Sequence, residues 1–306
     1  MRIRKFTAVL VLLINVPHAW SSAADKPAVR ARPPKWSADD VRVFFDDARV
    51  QLSGDRPSAE VTDSPVTIAA DKSTQNPGAK KWSNLIKENA LAMEVKRIHN
   101  RLSALIARAG RFKGSGNVDC RRDFSLLAML FEVIADYDQE VRWQREAAGM
   151  HNLCAEAALA CEKASDESLA LAASVNEQLG ELLSGQPNVR EESVEETAVD
   201  RGQLMLCMEL ALEENISPWL ASKKEFRRRK PEVAHQSQLL AMLAQTISRE
   251  GFDFADDEAF VQIARELERA SLQLTDASEQ GDYDAARQAA GRVTQSCSEC
   301  HEGYRG

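Results

Sequence analysis

Apolar side chains from Trp82 onward recur every three to four residues, which is the period of an amphipathic helix. No segment of this region alternates between apolar and polar residues as a half-buried strand does. The clearest apolar stripe lies near the C-terminus and consists of Phe260, Ile263, Leu267, Ala270 and Leu274. The pattern therefore predicts an all-α protein from Trp82 onward.

The helical region contains two related copies of one unit. The segment LLAML at Leu126–Leu130 recurs at Leu239–Leu243. Upstream apolar positions keep the same spacing in both copies: Leu91, Ile98, Leu102 and Leu105 correspond to Met205, Leu212, Ile216 and Trp219. Each copy is about 110 residues long, within the usual size range of a domain.

Each copy is predicted to hold four helices. In the second copy they span residues 196–224, 231–250, 256–280 and 282–301. Four amphipathic helices with short connections form an antiparallel four-helix bundle. The chain is therefore predicted to contain two tandem bundles, at residues 82–195 and 196–306, of which only the second carries the cysteine motif described below.

The first 81 residues have a different composition. Residues 1–24 begin with basic residues, continue with the apolar run Phe6–Val16 and end in small residues, which is the pattern of a secretory signal peptide. This run is shorter than the roughly 20 residues that span a bilayer, although an uncleaved anchor stays open as an alternative. The pattern predicts an exported, periplasmic protein without a stable membrane span.

Residues 25–81 resemble a linker. They hold six of the ten prolines and many Ser, Thr and Asp residues, a composition typical of a largely disordered segment. One aromatic island, Trp36–Ala48, interrupts it. The island is either a short helix that packs on a later domain or a peptide that docks to a partner.

The charge of the chain is modestly acidic, with 47 acidic and 39 basic residues and a net charge of −8. This balance argues against general nucleic-acid binding. One basic run, Lys223–Lys230, stands out. It is predicted to be either a solvated loop between helices or a docking surface for a redox partner protein, because complementary charge accelerates encounter.

The segment CSECH, at Cys297–His301, carries the most specific chemical signal. A thioredoxin-like dithiol would require a preceding strand, and structural zinc would require a second ligand pair. The sequence shows neither. The remaining interpretation is covalent haem attachment, in which Cys297 and Cys300 bond the haem and His301 becomes an axial iron ligand.

A four-helix bundle with this motif on its last helix resembles the class II c-type cytochromes, cytochrome c′ and cytochrome c-556. The motif is followed by Tyr304 and Arg305, which is similar to the end of that family. The resemblance covers roughly residues 199–306. It implies a C-terminal bundle of the cytochrome c′ type with one haem c.

The resemblance also implies which residues lie on the other side of the haem. In the family, an arginine of the first helix is followed one turn later by leucine or methionine, and Arg201 and Met205 match this pattern. Arg201 would pair with a haem propionate. Met205, with Met208 as its competitor, would either ligate the iron, which suits electron transfer, or only shield it, which suits binding of gases such as NO and CO.

Two further functional readings follow from the same residues. The paired bundles could form an interaction module that delivers electrons to a bound partner. Enzymatic catalysis is not expected, because the sequence shows no nucleophile–base constellation. Class II cytochromes often dimerise through their first helices, so the resemblance implies either a homodimer or a first bundle that takes the partner's place within one chain.

The first copy lacks the haem motif, since Leu183 stands where Cys297 stands in the second copy. Its core is therefore expected to be filled by side chains. Cys120, near the start of its second helix, and Cys161, near the end of its third, would meet in an antiparallel hairpin and are predicted to form a disulfide. The other two cysteines, Cys154 and Cys207, are expected to be small buried core residues.

Overall fold

The computed structural model describes residues 81–187, 189, 193–194 and 199–304, and these residues form helices and no strand. The all-α prediction is therefore confirmed for the described residues. The predicted signal peptide, the linker up to residue 80 with its aromatic island, and Arg305 lie outside the described residues.

Two groups of four helices follow each other along the chain. The first group consists of α1 (Glu88–Ile106), α2 (Asn117–Ala135), α3 (Ala147–Ala160) and α4 (Asp166–Ser184). The second consists of α5 (Arg201–Leu210), α6 (Lys223–Ile247), α7 (Glu258–Gln280) and α8 (Tyr283–Tyr304). Consecutive helices within each group pack against each other, and α4 returns to α1. Each group is an antiparallel four-helix bundle.

Shorter helical pieces extend some of these helices. A turn at Ala109–Arg111 and a π-helical turn at Phe112–Gly116 lead into α2. After α5 the chain continues through a π-helical turn at Ala211–Ile216 and a last turn at Ser217–Trp219. A 3-10 turn at Trp82–Asn84 precedes α1.

Side-chain caps fix several helix starts. The side chains of Ser165, Asp200, Ser222 and Asp257 each accept a hydrogen bond from a backbone N–H of the first turn that follows. These bonds satisfy donors that have no partner within the helix. At the other end of α7, Gly281 has φ +75°, a left-handed conformation that favours glycine and ends the helix at the predicted turn.

The basic run was predicted to be either a solvated loop between helices or a docking surface, and the loop alternative is wrong: Lys223–Lys230 forms the first two turns of α6. Ser222 Oγ accepts the backbone N–H of Glu225 at 3.1 Å and starts the helix there. Pro231 lies inside the helix, where it removes a backbone donor. The helix continues because the following turns are buried almost completely, from Val233 to Ala244.

The central helices of the molecule are α2 and α6. Every residue of Leu126–Leu130 and of Leu239–Leu243 is at most 5% exposed. A helix that is apolar on all sides must be covered on all sides. Each of these helices packs within its own bundle on one side and faces the other bundle on the other side.

The two bundles contact each other through their first two helices. α5 packs against α2, and α1 meets α6 through two hydrogen bonds. His235 Nε2 lies 2.8 Å from Glu94 Oε2, and the backbone N–H of Lys87 donates to Gln238 Oε1 at 2.9 Å. Each bundle therefore places its first helix beside the second helix of the other.

Glu94 is the centre of a buried charge cluster in this interface. It is 3% exposed, and both Arg97 and Arg101 lie within 4 Å of its carboxylate. Burial raises the pKa of Glu94, but the hydrogen bond with His235 and the nearby positive charges outweigh burial and hold that pKa below its usual 4.5. The carboxylate is therefore stabilised in its charged form.

The bundles differ in how their first and last helices meet. In the first bundle α1 packs directly on α4, and His99 Nδ1 lies 3.1 Å from Asn176 Oδ1. In the second bundle α5 and α8 pack less closely and leave a cavity between them. The first bundle is closed by side chains, whereas the second has room beside its cysteine motif.

Candidate functional site

The cavity of the second bundle has a volume of about 160 Å³. α5 and α8 form facing walls, and apolar side chains of α7 complete the lining. The residues relevant to haem binding along this lining are Met205, Met208, Glu209, Cys297, Cys300 and His301. The structure thus brings together the C-terminal motif and the two candidate distal methionines, which are about 90 residues apart in the sequence.

The motif lies on the last turns of α8, which continues to Tyr304. Cys300 is buried, and Cys297 and His301 are half-buried. Burial raises the pKa of Cys297 to about 11, with the negative charges of Glu213 and Glu209 acting in the same direction. Burial also raises the pKa of Cys300. Both thiols are therefore protonated at neutral pH in this structure.

An aromatic cluster anchors the end of α8. The ring of Tyr304 lies 5.1 Å from that of Phe254 and 5.2 Å from that of Phe260, measured between centroids. The Tyr304 hydroxyl donates to Asp257 Oδ2 at 3.0 Å, while Asp257 Oδ1 caps α7. The cluster thus ties the motif-bearing turn to the start of α7. Phe254 and Asp257 were missed in the sequence, where neither has a distinctive local pattern.

Arg201 lies against the same cluster. Its guanidinium carbon is 4.7 Å from the ring centroid of Phe254 and 5.6 Å from that of Phe260. Its Nη1 is buried and has no hydrogen-bond partner among the described residues. A buried donor without a partner is costly. The guanidinium therefore has a free donor for an anionic group at this end of the bundle, as the resemblance to the cytochromes implies for a propionate.

Met205 and Met208 occupy one wall of the cavity. Met208 is 5% exposed and Met205 is half-buried. The π-helical turn begins only at Ala211. It accommodates Pro218, which cannot donate a backbone hydrogen bond and would crowd the preceding turn. Because the irregular turn follows both methionines, α5 keeps regular α-helical spacing from Arg201 to Met208.

The donor set around the cavity fits a covalently attached haem. Two thiols and an imidazole lie on one wall, thioethers on the other, and an arginine donor without a partner lies nearby. The volume of about 160 Å³ is close to that of a cavity that holds one benzene molecule. A tetrapyrrole is larger, so its attachment requires the walls to separate, which the loose packing of α5 on α8 allows.

The described residues contain no group of three His, Cys, Asp or Glu side chains placed to hold a metal ion. None of the described helices combines the length and apolar character that crossing a membrane requires.

The predicted disulfide partners lie side by side. Cys120 and Cys161 are fully buried, and both are free thiols in this structure. A hydrogen bond between the two thiols raises the pKa of Cys120, together with burial, and lowers the pKa of Cys161. Asn117 Nδ2 donates to the Cys161 carbonyl at 3.1 Å and holds the end of α3 against the start of α2.

We expect these two thiols to form a disulfide in an oxidising compartment by two-electron oxidation, through exchange with a disulfide-bearing oxidant. Closing a loop of this length would stabilise the fold by about 4 kcal/mol. In protein whose motif cysteines carry haem, alkylation of the unfolded, unreduced chain should then label only Cys154 and Cys207. Labelling of four cysteines would contradict the disulfide. Reduction should lower the midpoint of thermal unfolding.

Comparison with known protein families finds a match at the C-terminal end of the chain. The family model of cytochrome c′ matches residues 253–305, which contain α7, α8 and the cysteine motif. The match confirms the resemblance for the C-terminal region of the chain. The first bundle and α5 lie outside the matched residues. No curated protein and no solved structure matches the chain.

Proposed function

We propose that this protein is an exported c-type cytochrome that carries one covalently attached haem c and transfers electrons. The observation that carries the proposal is the gathering of Cys297, Cys300, His301 and Met205 around one cavity, in a region that matches the cytochrome c′ model. A haem held in this way supplies a reversible one-electron couple whose potential depends on its axial ligands, burial and nearby charge.

Each side chain has a defined task in this proposal. Cys297 and Cys300 would hold the haem covalently, and His301 would ligate the iron from the same wall. Met205 would ligate it from the α5 wall. Arg201 would donate a charge-assisted hydrogen bond from its Nη1 to a propionate.

The acidic residues at the cavity influence the redox balance. Glu209 and Glu213 line the cavity and lie close enough to Cys297 to raise the pKa of its thiol. Negative charge beside the iron favours the oxidised state, which carries the additional positive charge. These two carboxylates therefore lower the reduction potential in this proposal.

The haem count of one and the exported location rest on the sequence. The motif occurs once, and the corresponding place in the first copy is held by Leu183. The N-terminal pattern of a signal peptide supports export to the periplasm, where disulfides also form. The protein is proposed to be an electron carrier rather than an enzyme.

The basic start of α6 is proposed to steer a redox partner. Lys223, Lys224, Arg227 and Arg228 are exposed there. This patch lies at the end of the bundle away from the motif: Phe226 packs on Tyr283, the first residue of α8, with ring centroids 5.7 Å apart. From Tyr283 to Cys297 the helix rises by about 21 Å. The patch therefore suits orientation of an acidic partner during encounter rather than contact at the haem.

The first bundle is proposed to replace the second subunit of a dimer. It covers α5 and α6 of the second bundle, through α2 and α1 respectively. A monomer in solution would support this proposal, and a homodimer would argue against it.

We expect the reduced wild-type protein to show a low-spin absorption spectrum that changes only slowly on addition of CO, because CO would first have to displace Met205 from the iron. Met205→Leu should convert this to a high-spin spectrum that shifts on addition of CO, since leucine packs similarly but offers no ligand. Met208→Leu is the matched control on the same wall and should leave the spectrum unchanged.

A high-spin wild-type spectrum that shifts on CO addition would contradict ligation by Met205 and would favour the gas-binding alternative. A spectrum that changes with Met208→Leu and not with Met205→Leu would transfer the role to Met208. In both cases the covalent attachment at Cys297 and Cys300 is tested separately.

A further inference from the structure

Asp200 connects the two bundles at the start of α5. Its Oδ1 accepts the backbone N–H of Gly202 at 2.7 Å and so caps α5. Its Oδ2 accepts a hydrogen bond of 3.1 Å from Nη2 of Arg121, which lies on α2 of the first bundle. Arg121 also lies 3.5 Å from Glu162, at the end of α3. One carboxylate thus begins the helix and ties it to the first bundle.

A second contact lies further along the same helix. Cys207 is 8% exposed. Its thiol donates a hydrogen bond to the carbonyl of Arg122, with 3.9 Å between sulfur and oxygen. Cys207 is seven residues beyond Asp200, about two helical turns and about 10 Å along the axis. α2 and α5 pack against each other over this stretch. The first bundle therefore holds one face of α5 at two points.

The candidate distal ligand lies between these points on the opposite face. Met205 precedes Cys207 by two residues, which places it about 160° around the helix from Cys207. Met205 lines the cavity, whereas Cys207 faces the first bundle. α5 is therefore a wall with the cofactor site on one side and the first bundle on the other.

We infer that the first bundle positions the distal wall of the haem site, with Arg121 and Asp200 as the positioning pair. The inference rests on the proposed function, because it concerns the face that Met205 presents to the haem. The bundle that lacks the motif would then have a role of its own, because it would restrain the outward movement of α5 that exposes the iron. Neither Arg121 nor Asp200 lines the cavity.

The test uses Arg121→Gln and Asp200→Asn in the full haem-bearing protein. Asparagine caps helices about as well as aspartate, so Asp200→Asn removes the charge pair and keeps the cap. The reduced protein is mixed with CO, and the rate of CO capture is measured by absorption. We expect capture to be about two- to fivefold faster in each variant, the range of a partly exposed ion pair.

Two further variants separate positioning from general damage. Arg142→Gln removes another arginine of the first bundle, one that donates to the carbonyl of Leu183 within that bundle, and should leave the CO rate unchanged. The double variant Arg121→Gln with Asp200→Asn should be no faster than either single variant, because both remove the same interaction. Arg121→Lys should recover part of the wild-type rate.

The outcomes distinguish the inference from the proposed function. CO rates that equal the wild-type rate in both single variants, with haem still attached, would overturn the inference. The inference would also be overturned if the two single variants had additive effects on the CO rate in the double variant, because the two residues would then act independently. Wild-type protein without covalent haem would instead contradict the proposed function.

Discussion

Replacing Cys297 and Cys300 together with alanine is expected to abolish covalent haem attachment completely. Both thiols line the cavity and lie one helical turn apart on α8. Each provides one of the two bonds that hold the haem through denaturation. On a denaturing gel, the wild-type band should therefore carry haem stain and the double variant should carry none. Each single replacement leaves one bond and should give a weaker band.

The matched control replaces the two solitary cysteines, Cys154 and Cys207, with alanine. Both are buried and neither lines the cavity, so this variant should stain like the wild type. Stain that persists in the Cys297→Ala, Cys300→Ala double variant would show that the haem is attached elsewhere. A wild-type band without stain would end the cytochrome proposal.

Glu94→Ala is expected to lower the free energy of unfolding by about 1–3 kcal/mol, the usual loss when a buried hydrogen-bonding group is left without its partner. The replacement leaves His235, which is 2% exposed, without its carboxylate partner, and it removes one partner of Arg101. Urea unfolding with linear extrapolation measures the loss.

An exposed carboxylate provides the comparison. Glu177 lies on the surface of α4, and Glu177→Ala should change stability by no more than about 0.5 kcal/mol. If Glu94→Ala cost no more than this control, the interface between the bundles would not depend on the buried charge cluster.

The same carboxylate makes stability depend on pH. The folded state holds the pKa of Glu94 below the usual value of 4.5 that it has when unfolded. Its stabilising contribution is therefore fully present above about pH 4.5 and is lost as the pH falls through the folded pKa. Wild-type protein should lose more stability than Glu94→Gln on acidification below pH 4.5. Parallel stability curves for the two proteins would contradict this assignment.

Most of the fold followed from the hydrophobic period, but the start of α6 did not. The helices predicted at residues 196–224 and 231–250 left residues 225–230 between them as a loop, whereas α6 runs through this stretch. Propensity is a weak signal that tertiary packing overrides. Here the cap at Ser222 and the nearly complete burial beyond Pro231 stabilise a continuous helix. That burial depends on the other bundle and is not visible in the local sequence.

The candidate site was also only partly predictable from the sequence. CSECH was identifiable because the residues that bond a haem are contiguous in the sequence. The cluster of Phe254, Asp257 and Tyr304 was not, because it joins the end of α8 to the start of α7. The pair Arg121–Asp200 was equally hidden, since it forms between surface residues of the two bundles. Spatial proximity of this kind requires the fold.

The two bundles belong to one polypeptide, and the segment between α4 and α5 covers only residues 185–200. A short link of this kind holds the two bundles at an effective concentration of about 1 mM relative to each other. Two separate subunits with the same interface would dissociate on dilution, but the two bundles of one chain remain linked. The distal wall of the haem site should therefore keep its covering however scarce the protein is, which a reversible dimer could not guarantee.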